Sequence, residues 1–324
     1  NTVACATCHI PARGGTDPRR AAAPGLDGVL GSPDDTFGSP GVIHSDAAND
    51  YVRDAVFALA PQVTPRAANS AINAAYFTNL FWDGRATPAF TNPETGVVTI
   101  PAGAALESQA AGPPVSSVEM AHDAHNWSQL TTKLARVRPL EQATALPPDV
   151  ASALTGGPSY QQLFQNAFGD ATITAERIAM AIATYERTLI ADQTPYDNFR
   201  RGQTTALNAA QLRGLNAFTA RACVTCHAEP LFADPNPATG FRNVGLRPPA
   251  EDSGRQAITG LASDRGKFKV PSLRNANLKT SFMHTGQFVN LGQVMGFYVA
   301  AAGVPQGAPT RENRDPLMDT LNPQ

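Results

Sequence analysis

Two short stretches decide how this chain is built: Cys5-Ala6-Thr7-Cys8-His9 and Cys223-Val224-Thr225-Cys226-His227. Both read C-x-x-C-H, the attachment pattern of c-type haem. The spacing has a chemical reason. Two thiols at this separation add to the two vinyl groups of one porphyrin, and the adjacent imidazole offers an axial nitrogen to the iron. The pattern occurs twice and uses all four cysteines of the chain. Other uses of such pairs fit less well. A structural disulfide is unusual at so tight a spacing. A four-cysteine zinc site would have to join pairs that lie far apart, each with its own trailing histidine. A thioredoxin-like dithiol needs a βαβ setting that is absent. Two covalently bound c-type haems are therefore expected, on Cys5, Cys8 and His9 and on Cys223, Cys226 and His227. Haem c is attached in an oxidising compartment, which points to the periplasm. No signal peptide is present and only four residues precede Cys5; the chain is expected to be processed or incomplete at that end.

Composition narrows the classes further. The 324 residues are 42% hydrophobic and 16% charged, enough apolar material for buried cores, which excludes disorder of the whole chain. A net charge of −2 with no basic stripe argues against a nucleic-acid partner. No run of 18 apolar residues exists, so no membrane-spanning helix is expected. With 26 Gly, 27 Pro and only 7% aromatics, the chain reads as loop-rich, its cores filled partly by the cofactors.

The axial histidines are far enough apart for each to own a domain, and Pro195 suggests a boundary, giving 1–191 and 192–324. Residues 10–50 read as long loop around a haem edge. Residues 51–60 read as a helix ending before Pro61. Asn92-Pro93-Glu94-Thr95-Gly96 followed by Val97–Ile100 reads as a small hairpin or surface insertion within 91–105. Helical patterns cover 127–138 and 159–168. The clearest helix runs 174–190, with Thr174 as N-cap and Ile178, Ile182, Tyr185 and Leu189 on one face. A helix over 208–222, with Leu212, Leu215 and Phe218 inward, leads into Cys223, and a last one spans 291–302. The expected fold class is all-α: two cytochrome c-like haem domains joined by irregular loops.

Four blocks in this order resemble the bacterial di-haem cytochrome c peroxidases and their MauG-like relatives over nearly the whole chain. They are the two C-x-x-C-H pairs; Phe81-Trp82-Asp83-Gly84-Arg85-Ala86; Leu106-Glu107-Ser108-Gln109 through Gly112-Pro113 to Val118-Glu119-Met120; and Pro271-Ser272-Leu273-Arg274-Asn275 through Phe282-Met283-His284-Thr285-Gly286. The resemblance implies a peroxidatic haem in the N-terminal domain and an electron-transfer haem in the C-terminal one, with Trp82 relaying electrons between them. Trp127 reads as packing. Gln109 and Glu119 match the distal pocket of the peroxidatic haem, and Pro113 would narrow it. The chemistry needs such groups, because peroxide must lose a proton at one oxygen and gain one at the other. His44 falls in the stretch where some relatives carry a distal histidine ligand, but at the wrong spacing, and reads better as a loop residue; His122 and His125 read as exposed. The resemblance also implies a calcium ion, held by Asn69 and carbonyls near Lys279 and Ser281. Both ends look short against the family pattern.

One position divides the family. Counting forward from His284-Thr285-Gly286, the sixth ligand of the C-terminal haem falls on Tyr298, as in the MauG-like branch, with Met295 three residues earlier as the alternative. A thioether raises the haem potential and suits electron uptake from a soluble donor; a phenolate favours the oxidised iron. The function expected is a MauG-like di-haem peroxidase that uses hydrogen peroxide to form high-valent haem iron and oxidises a residue on a periplasmic protein partner. The alternatives are a plain peroxidase fed by a small cytochrome or copper protein, and a two-haem electron carrier with no substrate.

Overall fold

Capping chemistry starts most of the longer helices. Asn126, Ser159, Thr194 and Asn208 each accept a hydrogen bond from the backbone of the residue three further on, and that residue (Gln129, Gln162, Asp197, Gln211) reaches back. These reciprocal pairs satisfy amides that a helix start leaves open. They open the helices Trp127–Leu134, Tyr160–Phe168, Pro195–Arg200 and Ala209–Ala220. Pro195 is the first residue of its helix, where its missing N–H is harmless. A computed structural model describes residues 3–301 and 303–321, so the expected extension of the last helix to Ala302 lies outside the described residues and the helix is Leu291–Ala301.

The spine of the N-terminal half is the helix Ala175–Glu186, capped by Thr174, whose Oγ1 accepts from the Arg177 amide at 3.2 Å. Its buried residues fall in three successive clusters. Ile178 packs with Trp127 and Phe164; Ala179 with Phe90 and Ala110; Ala183 with Phe77, Leu106 and, from the other half of the chain, Ala233. The inward face is thus carried by alanines, and Tyr185, expected to face inward, is 63% exposed. Alanine at the contact lets the helix Ala105–Ala110 approach closely.

The all-α expectation is corrected. The chain is 32% helical with 11% strand, in ten α-helices and four two-stranded antiparallel sheets among the described residues. Two of these ribbons organise the expected loop region. Ala21–Ala23 pairs with Thr36–Gly38, and Pro40–Ile43 pairs with Pro61–Val63. Phe90–Thr91 pairs with Val98–Ile100 around the anticipated turn, where Asn92 Oδ1 accepts from the Glu94 amide. Phe241–Arg242 pairs with Phe268–Lys269. The physical reason is length: short segments between turns satisfy their backbone groups by pairing with one neighbour rather than by making helical turns. Residues 51–60 are likewise turns and not a helix. Asp54 Oδ1 accepts from the amides of Val56 and Phe57, and Ala58 turns the chain back at a φ of 55°, so the helical ladder never starts.

Several contacts join the two halves of the sequence. Arg66 makes a two-toothed pair with Asp252 and a third bond to the buried Asp83. Phe37 N–H donates to Thr285, and Ala67 N–H to His284. Gly286 must be glycine here, because a Cβ would stand 2.1 Å from the Phe37 carbonyl and its φ is 64°.

Candidate functional site

The two cysteine pairs fold alike. Cys5–Cys8 forms one helical turn and Cys223–Thr225 one 3-10 turn, and in each the histidine N–H donates to the carbonyl of the first cysteine at 3.0 Å. His9 Nδ1 then meets the Gly15 carbonyl at 3.2 Å, and His227 Nδ1 meets the Phe232 carbonyl at 3.1 Å. A carbonyl only accepts, so Nδ1 carries the proton and Nε2 keeps its lone pair. Burial lowers the pKa of both imidazoles, which keeps them neutral and able to ligate. All four thiols are free, and burial raises the pKa of each, Cys8 to about 11. Free thiols beside a neutral imidazole are the donor set that thioether attachment requires; with raised pKa values they are a poor set for a redox dithiol, which needs a lowered one. The residues fit two c-type haems.

Around Cys5 the chain gathers carboxylates. Glu119 is half-buried, and burial raises its pKa against the attraction of Arg85. The Cys5 thiol feels both Glu186 and Glu119. The Glu119 segment is held close by Gly41: Val42 N–H donates to the Val118 carbonyl at 3.0 Å, and a Cβ at position 41 would stand 1.9 Å from that oxygen. Gln109 lies in the last turn of the helix Ala105–Ala110 and Pro113 opens the short 3-10 turn that follows. His44 is engaged elsewhere. Its Nε2 lies 2.9 Å from Asp123 and its Nδ1 3.8 Å from Asp54. His122 and His125, expected to be exposed, are half-buried and bonded to each other at 2.9 Å.

Glu186 was not singled out from the sequence. Burial, with repulsion from Glu107, pushes it up to about 7, and its Oε2 is buried without a hydrogen-bond partner. Its place at the C-terminal end of a helix, where the macrodipole disfavours an anion, was the available signal. Lys269 was also passed over: it is 7% exposed, and burial, with the neighbouring Lys279, brings it down to about 7.

A raised Glu119 sets an expected pH dependence. With its carboxylate as the proton acceptor that the sequence leads one to expect, the rate of the peroxide-driven change in the haem absorption band should rise with pH through a limb above the usual carboxylate range. Glu119→Gln should slow that change by about 10²-fold or more and remove the limb, as loss of a positioned acid–base group does. Stopped-flow absorbance across pH 4–8 checks it (roughly the span around carboxylate titration); an unchanged profile would make Glu119 structural.

Trp82 is fixed from three sides. Its Nε1–H donates to the Ala67 carbonyl at 2.8 Å and its own carbonyl accepts from Lys269 N–H at 2.7 Å. Its ring meets His284 edge-on at 6.2 Å, and His284 stacks on Phe268 at 3.6 Å. Trp127 sits 5% exposed within the core.

On the helix Leu291–Ala301, burial raises the Tyr298 phenol to about 12, with further contributions from Cys226 and then Cys223. Tyr298 thus lies within electrostatic reach of the second attachment pair, whereas Met295 is 45% exposed. Asn69, Lys279 and Ser281 are half-buried. Their amide and carbonyl oxygens include no carboxylate, and so few charged ligands hold calcium weakly.

The comparisons with known proteins agree with this geometry. The family model described as di-haem cytochrome c peroxidase matches residues 1–205. The cytochrome c551 peroxidase of Nitrosomonas europaea is 31% identical over 239 residues, 72% of this chain and 57% of that protein. The methylamine utilization protein MauG of Methylorubrum extorquens is 28% identical over 302 residues, 92% of this chain and 63% of that protein. This chain therefore spans less than two thirds of either relative's length. A crystal structure of a MauG-like protein associated with microbial copper homeostasis shares the fold, with a TM-score of 0.63 at 22% identity over 99% of this chain and 79% of that one. With C-x-x-C-H turns at Cys5–His9 and Cys223–His227 and a family model that matches residues 1–205, well over half its length, the chain belongs to the di-haem cytochrome c peroxidase family.

Proposed function

We propose that this protein is a peroxide-using di-haem oxidoreductase of the MauG-like type, working in the periplasm on a residue of a protein partner. Residues 1–191 would hold the peroxidatic haem and 192–324 the electron-transfer haem, each attached through its own cysteine pair. Bound haem supplies peroxide cleavage and one-electron oxidation. The chain's own residues supply the rest. Glu119 takes the proton of the incoming peroxide and returns it to the departing oxygen. Gln109 orients the peroxide by hydrogen bonding, and Pro113 narrows the pocket against bulkier molecules. Trp82, held at its indole N–H by Ala67, carries electrons between the two sites. Reduction of one peroxide to two waters takes two electrons and two protons, and the partner residue is their source.

The observation that carries the MauG-like reading is the half-buried Tyr298 phenol within electrostatic reach of Cys226 and Cys223, while Met295 on the same helix is 45% exposed. A phenolate ligand favours oxidised iron and lowers the potential. Tyr298→Phe should therefore abolish the low-spin paramagnetic-resonance signal of the C-terminal haem and raise its midpoint potential. Each tenfold shift in the one-electron equilibrium is about 59 mV. If the variant keeps the wild-type signal and potential while Met295→Leu loses them, the plain peroxidase reading takes over.

A further inference from the structure

The strand residues Phe268 and Lys269 point to opposite faces, as strand neighbours do. Phe268 stacks on His284; Lys269 passes the other way, its ammonium 4.0 Å from the centre of the Phe77 ring. The position is deep: the residue is 7% exposed, and its backbone N–H is bonded to the Trp82 carbonyl at 2.7 Å. Among the described residues no carboxylate pairs with this ammonium, and the charge that acts on it is a second cation, Lys279. An aromatic face offsets only part of the desolvation of a buried cation. Two neighbouring cations repel, and buried charges persist where an opposite charge meets them.

The location says which anion. The stem of Lys279 lies against Gly14, its Cγ 3.5 Å from the place of a Cβ there. Gly14 and Gly15 form the turn whose carbonyl holds His9. The two lysines thus lie between the His9 turn and the Trp82 backbone. We propose that Lys269 and Lys279 form a carboxylate-binding site for the propionate groups of the haem attached near His9, on the edge of that haem facing Trp82.

This inference rests on the di-haem reading and deepens it. It makes the lysines positioning residues: they fix the edge from which electrons leave toward Trp82, and their charge stabilises the reduced iron. The test uses the haem-loaded protein. Haem per chain and covalent mass are measured first, so that failure of the di-haem reading is seen separately. With two haems present, Lys269→Met should lower the midpoint potential of the N-terminal haem by at least one tenfold step in the one-electron equilibrium, about 59 mV, and leave the C-terminal haem unchanged. Lys269→Arg should restore the wild-type value. If Lys269→Met does not take up two haems, Lys279→Met provides the same reading. Wild-type and Met-variant potentials that coincide would overturn the proposal. So would a wild-type potential that moves with added acetate, because the site would then hold an exchangeable small anion in place of a tethered carboxylate.

Discussion

In the double variant Cys5→Ala, Cys8→Ala, covalent haem should fall from two per chain to one. On the attachment reading the two thiols of a C-x-x-C-H turn are the only atoms bonded to the porphyrin ring itself, and each pair sits on its own turn with its own histidine. Loss of the first pair leaves the Cys223–His227 turn intact: its histidine is oriented by Phe232, and the adjoining Pro230 carbonyl is tied to Arg274, both within the C-terminal half. The reciprocal variant, Cys223→Ala with Cys226→Ala, should also keep one haem, now on His9. Intact mass under denaturing conditions separates covalent from loosely held cofactor, and the pyridine adduct spectrum counts thioether bonds. Two covalent haems remaining in either double variant, or a wild-type mass with no haem added, would end the attachment reading. The histidines explain why the loss should be local. With Nδ1 bonded to Gly15 or Phe232, each ring is oriented from within its own half of the chain.

The family was legible in the cysteine pairs, whose fixed spacing no packing preference imitates. The longer helices were legible from their starts: Thr174 caps its helix as expected, and the helix expected from Asn208 begins there, its cap closed by Gln211. The hairpin around Asn92–Gly96 followed from its turn residues. What failed was judged by side-chain size or by apolar period alone. Tyr185 looked inward because it is large, but the helix packs through Ala179 and Ala183, both 0% exposed, since small residues allow close approach. Residues 51–60 carry a helical apolar pattern, yet Asp54 bonds locally to Val56 and Phe57 and fixes a turn instead. Three-residue ribbons such as Ala21–Ala23 have no alternation long enough to recognise. Glu186 and Lys269 show no motif at all. Their interest lies in burial without a partner, and that depends on residues distant in sequence such as Glu107 and Lys279.

Arg274→Met should destabilise the fold by about 3 kcal/mol at neutral pH, the scale of removing one partner from a buried ion pair. Arg274 belongs to the Pro271–Asn275 block, and its guanidinium joins three segments. Two nitrogens bind Asp197 at 2.7 and 2.9 Å, one of them also reaches the Ala191 carbonyl at 2.9 Å, and Nε donates to the Pro230 carbonyl at 2.9 Å. The pair is deep, with side-chain exposures of 7% for Arg274 and 11% for Asp197. Asp197 also closes the cap of its helix through Thr194. Removing the guanidinium leaves the Asp197 carboxylate buried with only Thr194 for company, and frees the segment that follows His227. The pH dependence distinguishes this account from a simple packing loss. Arg274 and then Thr194 hold the Asp197 carboxyl well below the usual carboxylate range, against the opposing effect of burial. A carboxyl whose folded pKa is depressed adds stability above its unfolded value of about 3.9 and loses it as the pH falls below that toward the folded pKa. The stability gap between wild type and Arg274→Met should therefore be full at pH 7 and narrow in acid. Arg274→Met combined with Asp197→Asn should recover part of the loss, because no charge is then stranded. Urea unfolding of the haem-loaded proteins at about pH 7 and about pH 3, either side of that unfolded value, reads all three quantities. A gap below about 1 kcal/mol, the scale of an exposed pair, or one that does not change with pH, would show that Arg274 holds its three segments by contact alone and that the buried charge pair adds nothing to the support behind His227.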